Sequence, residues 1–332
     1  MKKLIGTMIT VAIVIALAGC GSDSKPAGLL TYVSRASGGD GTPQLFTLNP
    51  TTKVSKAVAI PIPAYAEYVS PNSTATAVTY SYNGPNGYDV FTMGTDGKEV
   101  ELTTGADAWG ANFSPDGKTI VYVSGINDEI YTMNVDGSNP QAFYAAGVDS
   151  IYESEPAFSS DGKSLVFYVN TDDCCSVPVG KKIRASWTSK AQAVVRNTVH
   201  PQDGVPTQNG WYTMAITGTT PTLVYATDDS WGPAVYSADG TKLLLSVIYG
   251  GQWNIISVNL DGSNITALTT GTATYTISPV PYQNLIFYNV LNANNDEEFD
   301  IYSMSQTGAN QTLISGVANT FESLNDAYYE NY

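Results

Sequence analysis

A segment of about 43 residues recurs along this 332-residue chain, and a tandem unit of that length cannot bury its apolar face alone, so copies must stack. Six short runs mark the repeat, each an apolar or aromatic pair followed by Ser or Thr and then Met, Leu or Val. They are Leu45-Phe46-Thr47-Leu48, Val90-Phe91-Thr92-Met93, Ile130-Tyr131-Thr132-Met133, Trp211-Tyr212-Thr213-Met214, Ile255-Ile256-Ser257-Val258 and Ile301-Tyr302-Ser303-Met304. Their second positions (46, 91, 131, 212, 256 and 302) lie 45, 40, 81, 44 and 46 residues apart. Turn signals follow most of them, and Asp136-Gly137-Ser138-Asn139 is repeated identically as Asp261-Gly262-Ser263-Asn264.

A second signature precedes these runs. Phe113-Ser114-Pro115-Asp116-Gly117-Lys118 leads into Thr119-Ile120-Val121-Tyr122-Val123, Phe158-Ser159-Ser160-Asp161-Gly162-Lys163 into Ser164-Leu165-Val166-Phe167-Tyr168, and Tyr236-Ser237-Ala238-Asp239-Gly240 into Leu243-Leu244-Leu245. Val69-Ser70-Pro71 and Ile277-Ser278-Pro279 read as weaker copies. Asp-Gly between two β-rich runs signals a hairpin, because Gly accepts positive φ without penalty. Each repeat therefore reads as four antiparallel strands, and radial stacking of such units gives a β-propeller. Composition agrees. Charged residues are 14% against the roughly 25% usual for soluble proteins, while 30 Gly and 22 Tyr favour turns and strands.

The run from Phe113 to Asn139 closely resembles the PD40 (WD40-like) repeat of TolB-type propellers, a resemblance that extends over residues 29–329 and is strongest at 110–140 and 155–170. It implies an all-β propeller of four-stranded antiparallel blades, with 29–332 as a single domain. The Gly-His…Trp-Asp pattern of true WD40 repeats and the kelch di-glycine are missing. Blade count turns on the 81-residue interval, which is close to two periods. Ser186-Trp187-Thr188-Ser189 and Gln192-Ala193-Val194-Val195 fit the first two strands of a repeat, so seven blades are expected; the alternative is six with an insertion of about 40 residues, Thr171 to Asn209. Leu29 to Ser34 reads as a second strand with no first strand before it. Phe321 falls 44 residues after Ile277, so Asn319 to Tyr329 is expected to supply the innermost strand of blade 1 and close the ring.

Residues 1–19 read as an address. Met1-Lys2-Lys3 is a short basic start, and Leu4 to Ala16 is almost wholly apolar yet short of the ~20 residues that span a bilayer. Leu17-Ala18-Gly19-Cys20 resembles the lipobox of bacterial lipoproteins. The resemblance implies cleavage between Gly19 and Cys20, acylation of the Cys20 thiol and of the new amine, and an envelope location with the membrane as partner. Residues 20–28 then form the lipidated Cys and a polar linker reaching at most ~29 Å from Gly21. Gly21 rather than Asp after the lipidated Cys favours the outer membrane, by analogy with enteric lipoproteins. Without Lys2 and Lys3, 13 basic residues face 30 acidic ones, a net charge of −17 that argues against nucleic-acid partners.

The single His and three Cys exclude haem attachment, a multi-His metal site and a zinc-finger framework. A prolyl-peptidase reading needs a nucleophile elbow and a second domain; there is no Gly-x-Ser-x-Gly, and His200, in a turn-rich stretch, is the one available triad base. No catalytic residue, metal site or cofactor other than the lipid is therefore expected. Cys174-Cys175 can form a strained vicinal disulfide, since adjacent Cα atoms lie ~3.8 Å apart, or stay unpaired or pair between molecules. Lys181, Lys182, Arg184, Lys190 and Arg196 gather five of the 13 mature basic residues, as a docking patch for an anionic partner or as internal charge balance. Asp172-Asp173, Asp228-Asp229 and Asp296-Glu297-Glu298 are loop carboxylates without EF-hand spacing, so calcium is weakly supported. Trp109, Trp231 and Trp253 are candidates for lining a ligand face.

These features lead to the expectation of a monomeric, membrane-anchored, non-catalytic propeller that binds an envelope protein as a scaffold. The alternative is a saccharide or peptide binder at the propeller mouth, where concave sites form; a hydrolase or lyase ranks below both. The stretch ahead of the repeats is too short for the extra N-terminal domain of TolB proteins, so their role in the envelope does not carry over.

Overall fold

The computed structural model describes residues 9–12, 30–36, 42–125, 129–144, 152–171, 206–228, 232–270, 275–291 and 299–315. These form six four-stranded antiparallel sheets, with no helix among the described residues. Blade 1 comprises Ile9–Ala12, Leu30–Ala36, Gln44–Asn49 and Val54–Ala57; blade 2, Glu67–Pro71, Ala77–Gly84, Gly87–Gly94 and Glu99–Glu101; blade 3, Ala108–Phe113, Thr119–Ser124, Glu129–Asn134 and Gln141–Tyr144. Blade 4 comprises Tyr152–Phe158, Ser164–Asn170, Gly210–Ala215 and Thr222–Ala226; blade 5, Val235–Tyr236, Lys242–Tyr249, Gln252–Asn259 and Thr266–Ala267; blade 6, Thr276–Tyr282, Leu285–Leu291, Phe299–Ser305 and Thr312–Ser315.

Apolar residues from neighbouring sheets interdigitate around the ring. Val33 and Leu45 pack with Val69 and Tyr80, Val90 with Ala108 and Ile120, Val121 and Ile130 with Leu165 and Phe167, and Val166 and Trp211 with Leu243 and Ile256. Leu244 and Ile255 of blade 5, Phe287 and Met304 of blade 6, and Leu30 and Leu48 of blade 1 share one cluster, which joins the last blade to the first. The second position of each sequence run explains its aromatic character. It packs across the ladder against a second-strand aromatic: Phe46 stacks on Tyr32, Phe91 on Tyr80 and Tyr212 on Phe167, while Tyr131 meets Tyr122 and Tyr302 meets Tyr288 at a tilt, with centroids 5.0–6.4 Å apart. Only blade 5 substitutes an aliphatic pair, Ile256 opposite Leu245.

The expectation of seven blades is corrected to six. Ser164 to Val169 pairs in continuous register with Ala215 back to Gly210, so the second strand of blade 4 finds its third strand on the far side of the 81-residue interval. The near-double period is one blade with a long excursion between its central strands. Its ends meet, since the Asn209 side-chain oxygen accepts from the Thr171 amide (2.6 Å) and hydroxyl (2.8 Å). Closing a loop of this size costs little more than closing a shorter one, because the entropy grows only logarithmically with length.

Two of the weaker Ser-Pro copies are also reassigned. In blade 2, Asn72 rather than Ser70 takes the place of Ser114: the Asn72 amide donates to the Ala77 carbonyl (2.9 Å) as the Ser114 amide does to Thr119 (2.7 Å). In blade 6, Ser278-Pro279 lies within the first strand, and the hairpin turns at Gln283 instead.

The Ser-x-Asp-Gly signature is a self-contained staple. Ser114, Ser159 and Ser237 each donate a hydroxyl to the carboxylate two residues on (2.7–2.8 Å), which also accepts the amide of residue 118, 163 or 241. The serine hydroxyl bond, then the backbone amide, are the main influences holding Asp116 and Asp161 below the usual carboxylate range; at Asp239 the hydroxyl is again the largest. A carboxyl whose folded pKa lies below its unfolded value of ~3.9 stabilises the fold above that value, and the contribution disappears as pH falls through the folded pKa. The triple variant with Asn at 116, 161 and 239 should therefore melt below the parent at pH 6 and converge on it by about pH 2. Thermal melts across that range check this, and a constant gap would rule out the charge as the source.

Three glycine turns between third and fourth strands, Asp136-Gly137, Asp261-Gly262 and Thr307-Gly308, join blades. An added Cβ on Gly137 or Gly262 would lie 3.1 Å from the carbonyl oxygen of Leu102 or Val224, and one on Gly308 would collide with the carbonyl oxygen of Leu268, each in the preceding blade or just past its last strand. With φ near +80° at all three, only glycine serves both the turn and the close approach.

Blade 1 departs from expectation at its centre. Leu30–Ala36 is the second strand, as read, but its inner partner is Ile9–Ala12, with Ile9 opposite Ala36 and Ala12 opposite Val33. Residues 9–12, an apolar stretch, thus stand where Asn319 to Tyr329 was expected, and residues 319–329 lie outside the described residues.

Candidate functional site

Among the described residues, the hairpins joining first to second and third to fourth strands lie at one end of the ring. The hairpins joining second to third strands and the connections between blades lie at the other, as up-and-down order requires. The excursion from Thr171 to Asn209 leaves from this second end.

The innermost strands share a device that shapes this region. In blades 2, 3, 4 and 6 the ladder shifts so that two residues oppose one: Tyr68-Val69 opposite Tyr80, Gly110-Ala111 opposite Tyr122, Glu155-Pro156 opposite Phe167, and Ser278-Pro279 opposite Tyr288. The first residue of each bulge has positive φ: 49° at Tyr68, 63° at Gly110, 51° at Glu155 and 54° at Ser278. For a residue with a Cβ that conformation costs roughly 1–2 kcal/mol. Bonds between blades hold it in place. The Thr79 hydroxyl donates to the Ala111 carbonyl (2.7 Å), Ser70 donates to the Asn112 side chain (2.8 Å), and Asn112 donates onward to Pro156 (3.3 Å). A bulge re-aims the side chains beside it. Here those include Glu67 and Trp109, each immediately ahead of a bulge.

Between blades 2 and 3 this creates a half-exposed ledge of aromatic rings and carboxylates. Tyr88, from the third strand of blade 2, reaches back to the first, where its hydroxyl donates to Glu67 Oε2 (2.8 Å). At its other end the Tyr88 amide donates to Asp107 Oδ1 (3.2 Å), in the connection to blade 3. Tyr68 and Trp109 meet the Tyr88 ring edge-on, with centroids 6.0 and 6.3 Å away. All five side chains are half-buried. A Cβ on Gly125 would collide with the Trp109 ring and lie 2.8 Å from Asp107 Oδ2, so this glycine leaves room for both. Planar apolar faces beside acceptor oxygens suit recognition of a ligand that carries hydrogen-bond donors on an apolar frame.

Of the residues singled out from the sequence, Trp109 is the one the structure brings into this ledge. Trp253 is half-buried, and its carbonyl accepts from Thr276 (3.3 Å). Asp228 accepts from the Asn209 side-chain Nδ2 (2.9 Å) and so ties down the foot of the excursion. Cys20, Cys174, Cys175, Lys181, Lys182, Arg184, Lys190, Arg196, His200, Trp231, Asp172, Asp173, Asp229 and the acidic run 296–298 lie outside the described residues. Among the described residues no group of three or more His, Cys, Asp and Glu is placed to hold a metal ion. Sequence reading missed Glu67, Tyr68, Tyr88 and Asp107. Contact between residues 67, 88 and 107 exists only after two strands pair and two blades dock.

No protein-family profile matches the chain, and no curated protein matches it. Solved structures do. A TolB-type protein from Agrobacterium tumefaciens superposes with a TM-score of 0.59 at 16% identity, over 85% of this chain and 94% of that one. TolB from Acinetobacter baumannii gives 0.52 at 14% identity, over 92% of this chain and 78% of that one. A structure of prolyl endopeptidases gives 0.52 at 12% identity, over 94% of this chain but 42% of that one. At these identities the likeness is one of fold: a TolB-like β-propeller.

Proposed function

With a TolB-like six-bladed propeller as the premise, we propose that this protein is a monomeric, non-catalytic lipoprotein of the bacterial cell envelope that binds a protein partner at the end of the ring carrying the Trp109 ledge. The observation that carries the reading is the ledge: half-exposed Tyr88 touches Tyr68 and Trp109 with its ring and bonds to two carboxylates, and Glu67, Tyr68 and Trp109 stand on bulged strands held by bonds between blades. Aromatic residues anchor protein interfaces because they bury large area at small entropic cost. The lipidated Cys20 supports an address at the membrane, by resemblance the outer one, with the linker keeping the ring close to the surface.

The test is a crosslinked pull-down of the tagged lipoprotein from detergent-solubilised envelopes, read by mass spectrometry and repeated with Trp109→Ala. One dominant envelope protein in stoichiometric yield, lost from a Trp109→Ala variant that melts like the parent, is the expected result. No enriched protein, or one indifferent to Trp109, overturns the reading and moves attention to saccharide and peptide ligands at the mouth.

A further inference from the structure

We infer that the ledge is a receptor for a lysine or arginine side chain of the bound partner, the cation resting between Glu67 and Asp107 and its alkyl stem lying on Trp109 and Tyr88. This rests on the protein-binding reading above and gives the partner a chemistry.

The argument starts from unused bonding capacity. Glu67 accepts from the Tyr88 hydroxyl through Oε2 and Asp107 from the Tyr88 amide through Oδ1. Glu67 Oε1 and Asp107 Oδ2 have no hydrogen-bond partner among the described residues. The ion pairs there, Lys118–Asp116 and Lys163–Asp161, sit in turns at the opposite end of the ring. Two half-buried carboxylates without a counter-charge pay a desolvation cost that an incoming cation would offset.

A second observation points the same way. Ser81 stands directly opposite both Glu67 and Val90, and Val90 packs against Ala108 of blade 3, so Ser81 shares with Glu67 the face turned towards the ledge. It is fully buried, and its hydroxyl has no partner. An orphan hydroxyl on the same face as a carboxylate that lacks a counter-charge marks a polar region whose hydrogen-bonding capacity is not filled from within.

The rings select among donors. Aromatic faces attract ammonium and guanidinium groups and accept the methylene stem that carries them. An uncharged donor would satisfy the oxygens and leave the charge uncompensated. A chain with 13 basic and 30 acidic residues after processing also steers cationic partners by its overall field.

The experiment uses the full lipidated chain in detergent, labelled at tryptophan, and follows the Trp109 indole resonance, assigned through Trp109→Phe. The probes are a capped Gly-Lys-Gly peptide and its ε-N-acetyl-lysine counterpart. The lysine peptide should move the resonance saturably, and the acetylated peptide should bind at least about tenfold more weakly, the scale expected for loss of a charge-assisted hydrogen bond. Glu67→Gln and Asp107→Asn keep an oxygen for Tyr88 while removing the charge, so each should weaken lysine binding about tenfold with little change in melting temperature. Asp96→Asn, an equal loss of charge in a turn at the other end of blade 2, should leave affinity as it is. Equal binding of both peptides, or indifference to Glu67→Gln and Asp107→Asn, overturns the inference. The two readings separate. A pull-down partner that depends on Trp109 but not on the carboxylates sinks the cation receptor alone. Charge-dependent peptide binding with no captured protein sinks only the protein-binding reading.

Discussion

A chain running from Cys20 to Tyr332 should fold and melt cooperatively, whereas one running from Cys20 to Ala318 should not. The reasoning begins at Leu30–Ala36, whose inner edge faces the centre of the ring. In the precursor that edge is paired with Ile9–Ala12, a segment that cleavage ahead of Cys20 would remove. The exposed strand would then present unpaired amides and carbonyls next to Leu30 and Val33, which are 0% and 1% exposed. Each buried backbone group left unpaired costs about 1–3 kcal/mol. Several such losses approach the 5–15 kcal/mol that holds a whole domain together. A chain beginning at Cys20 would need a replacement strand, and Asn319 to Tyr329, one period after the first strand of blade 6, is the segment expected to provide it. The decisive third chain is 1–318, which keeps the leader and lacks the tail. It should fold, because Ile9–Ala12 can occupy the same edge. Circular dichroism and thermal melts of the three chains give the answer. A stable 20–318 chain would show that the ring needs no closing strand, and an unfolded 20–332 chain would make the leader the only closure.

The exchange of one strand for another at that edge shows what the sequence could and could not convey. Strands, turns and their order were legible because their causes are local. Asp-Gly sets a turn through the φ of one residue, as at Gly117 and Gly162, and the serine two before each Asp bonds back within five residues. The cross-strand stacks such as Phe91 on Tyr80 were half legible: the repeating aromatic was visible, and its partner eleven residues earlier was not. Blade number depended on which strand Ser164–Asn170 would choose, a contact across some forty residues that periodicity weighs wrongly when an insertion nearly equals the repeat. The ledge lay further out of reach. Trp109 stood out by type, but its neighbours come from two strands and a connection, and the first residue of the blade 2 bulge beside it, Tyr68, has no compositional mark. Only the glycine form of that bulge, Gly110, carries a signal in sequence, and one glycine among 30 does not identify a bulge.

Cys20→Ser should shift the protein from the membrane pellet to the soluble fraction almost completely. Two features compete in the leader, and the substitution separates them. If Leu17-Ala18-Gly19-Cys20 acts as a lipobox, the Cys20 sulfur carries a diacylglyceryl group and the freed amine a further acyl chain. Each buried CH₂ contributes ~0.8 kcal/mol, so one chain binds a membrane marginally while several hold it without measurable exchange. The serine hydroxyl is a poor substitute for the thiol in that modification, and no other lipid site is available to compensate. With Ile9–Ala12 of the unprocessed chain seated in the ring, the remaining attachment would be electrostatic, and a chain of net charge −15 is repelled by anionic headgroups. The loss should therefore approach the full range of the fractionation assay, and intact-mass measurement of the parent should show the acyl chains directly. If the leader is an ordinary secretory signal with a coincidental cysteine, parent and variant should both be soluble and free of lipid. The variant would also bear on the closing strand. An unprocessed Cys20→Ser chain keeps Ile9–Ala12 attached and can seat it beside Leu30–Ala36, so it should melt as a folded ring even when its last fourteen residues are removed, a tolerance the processed parent should lack.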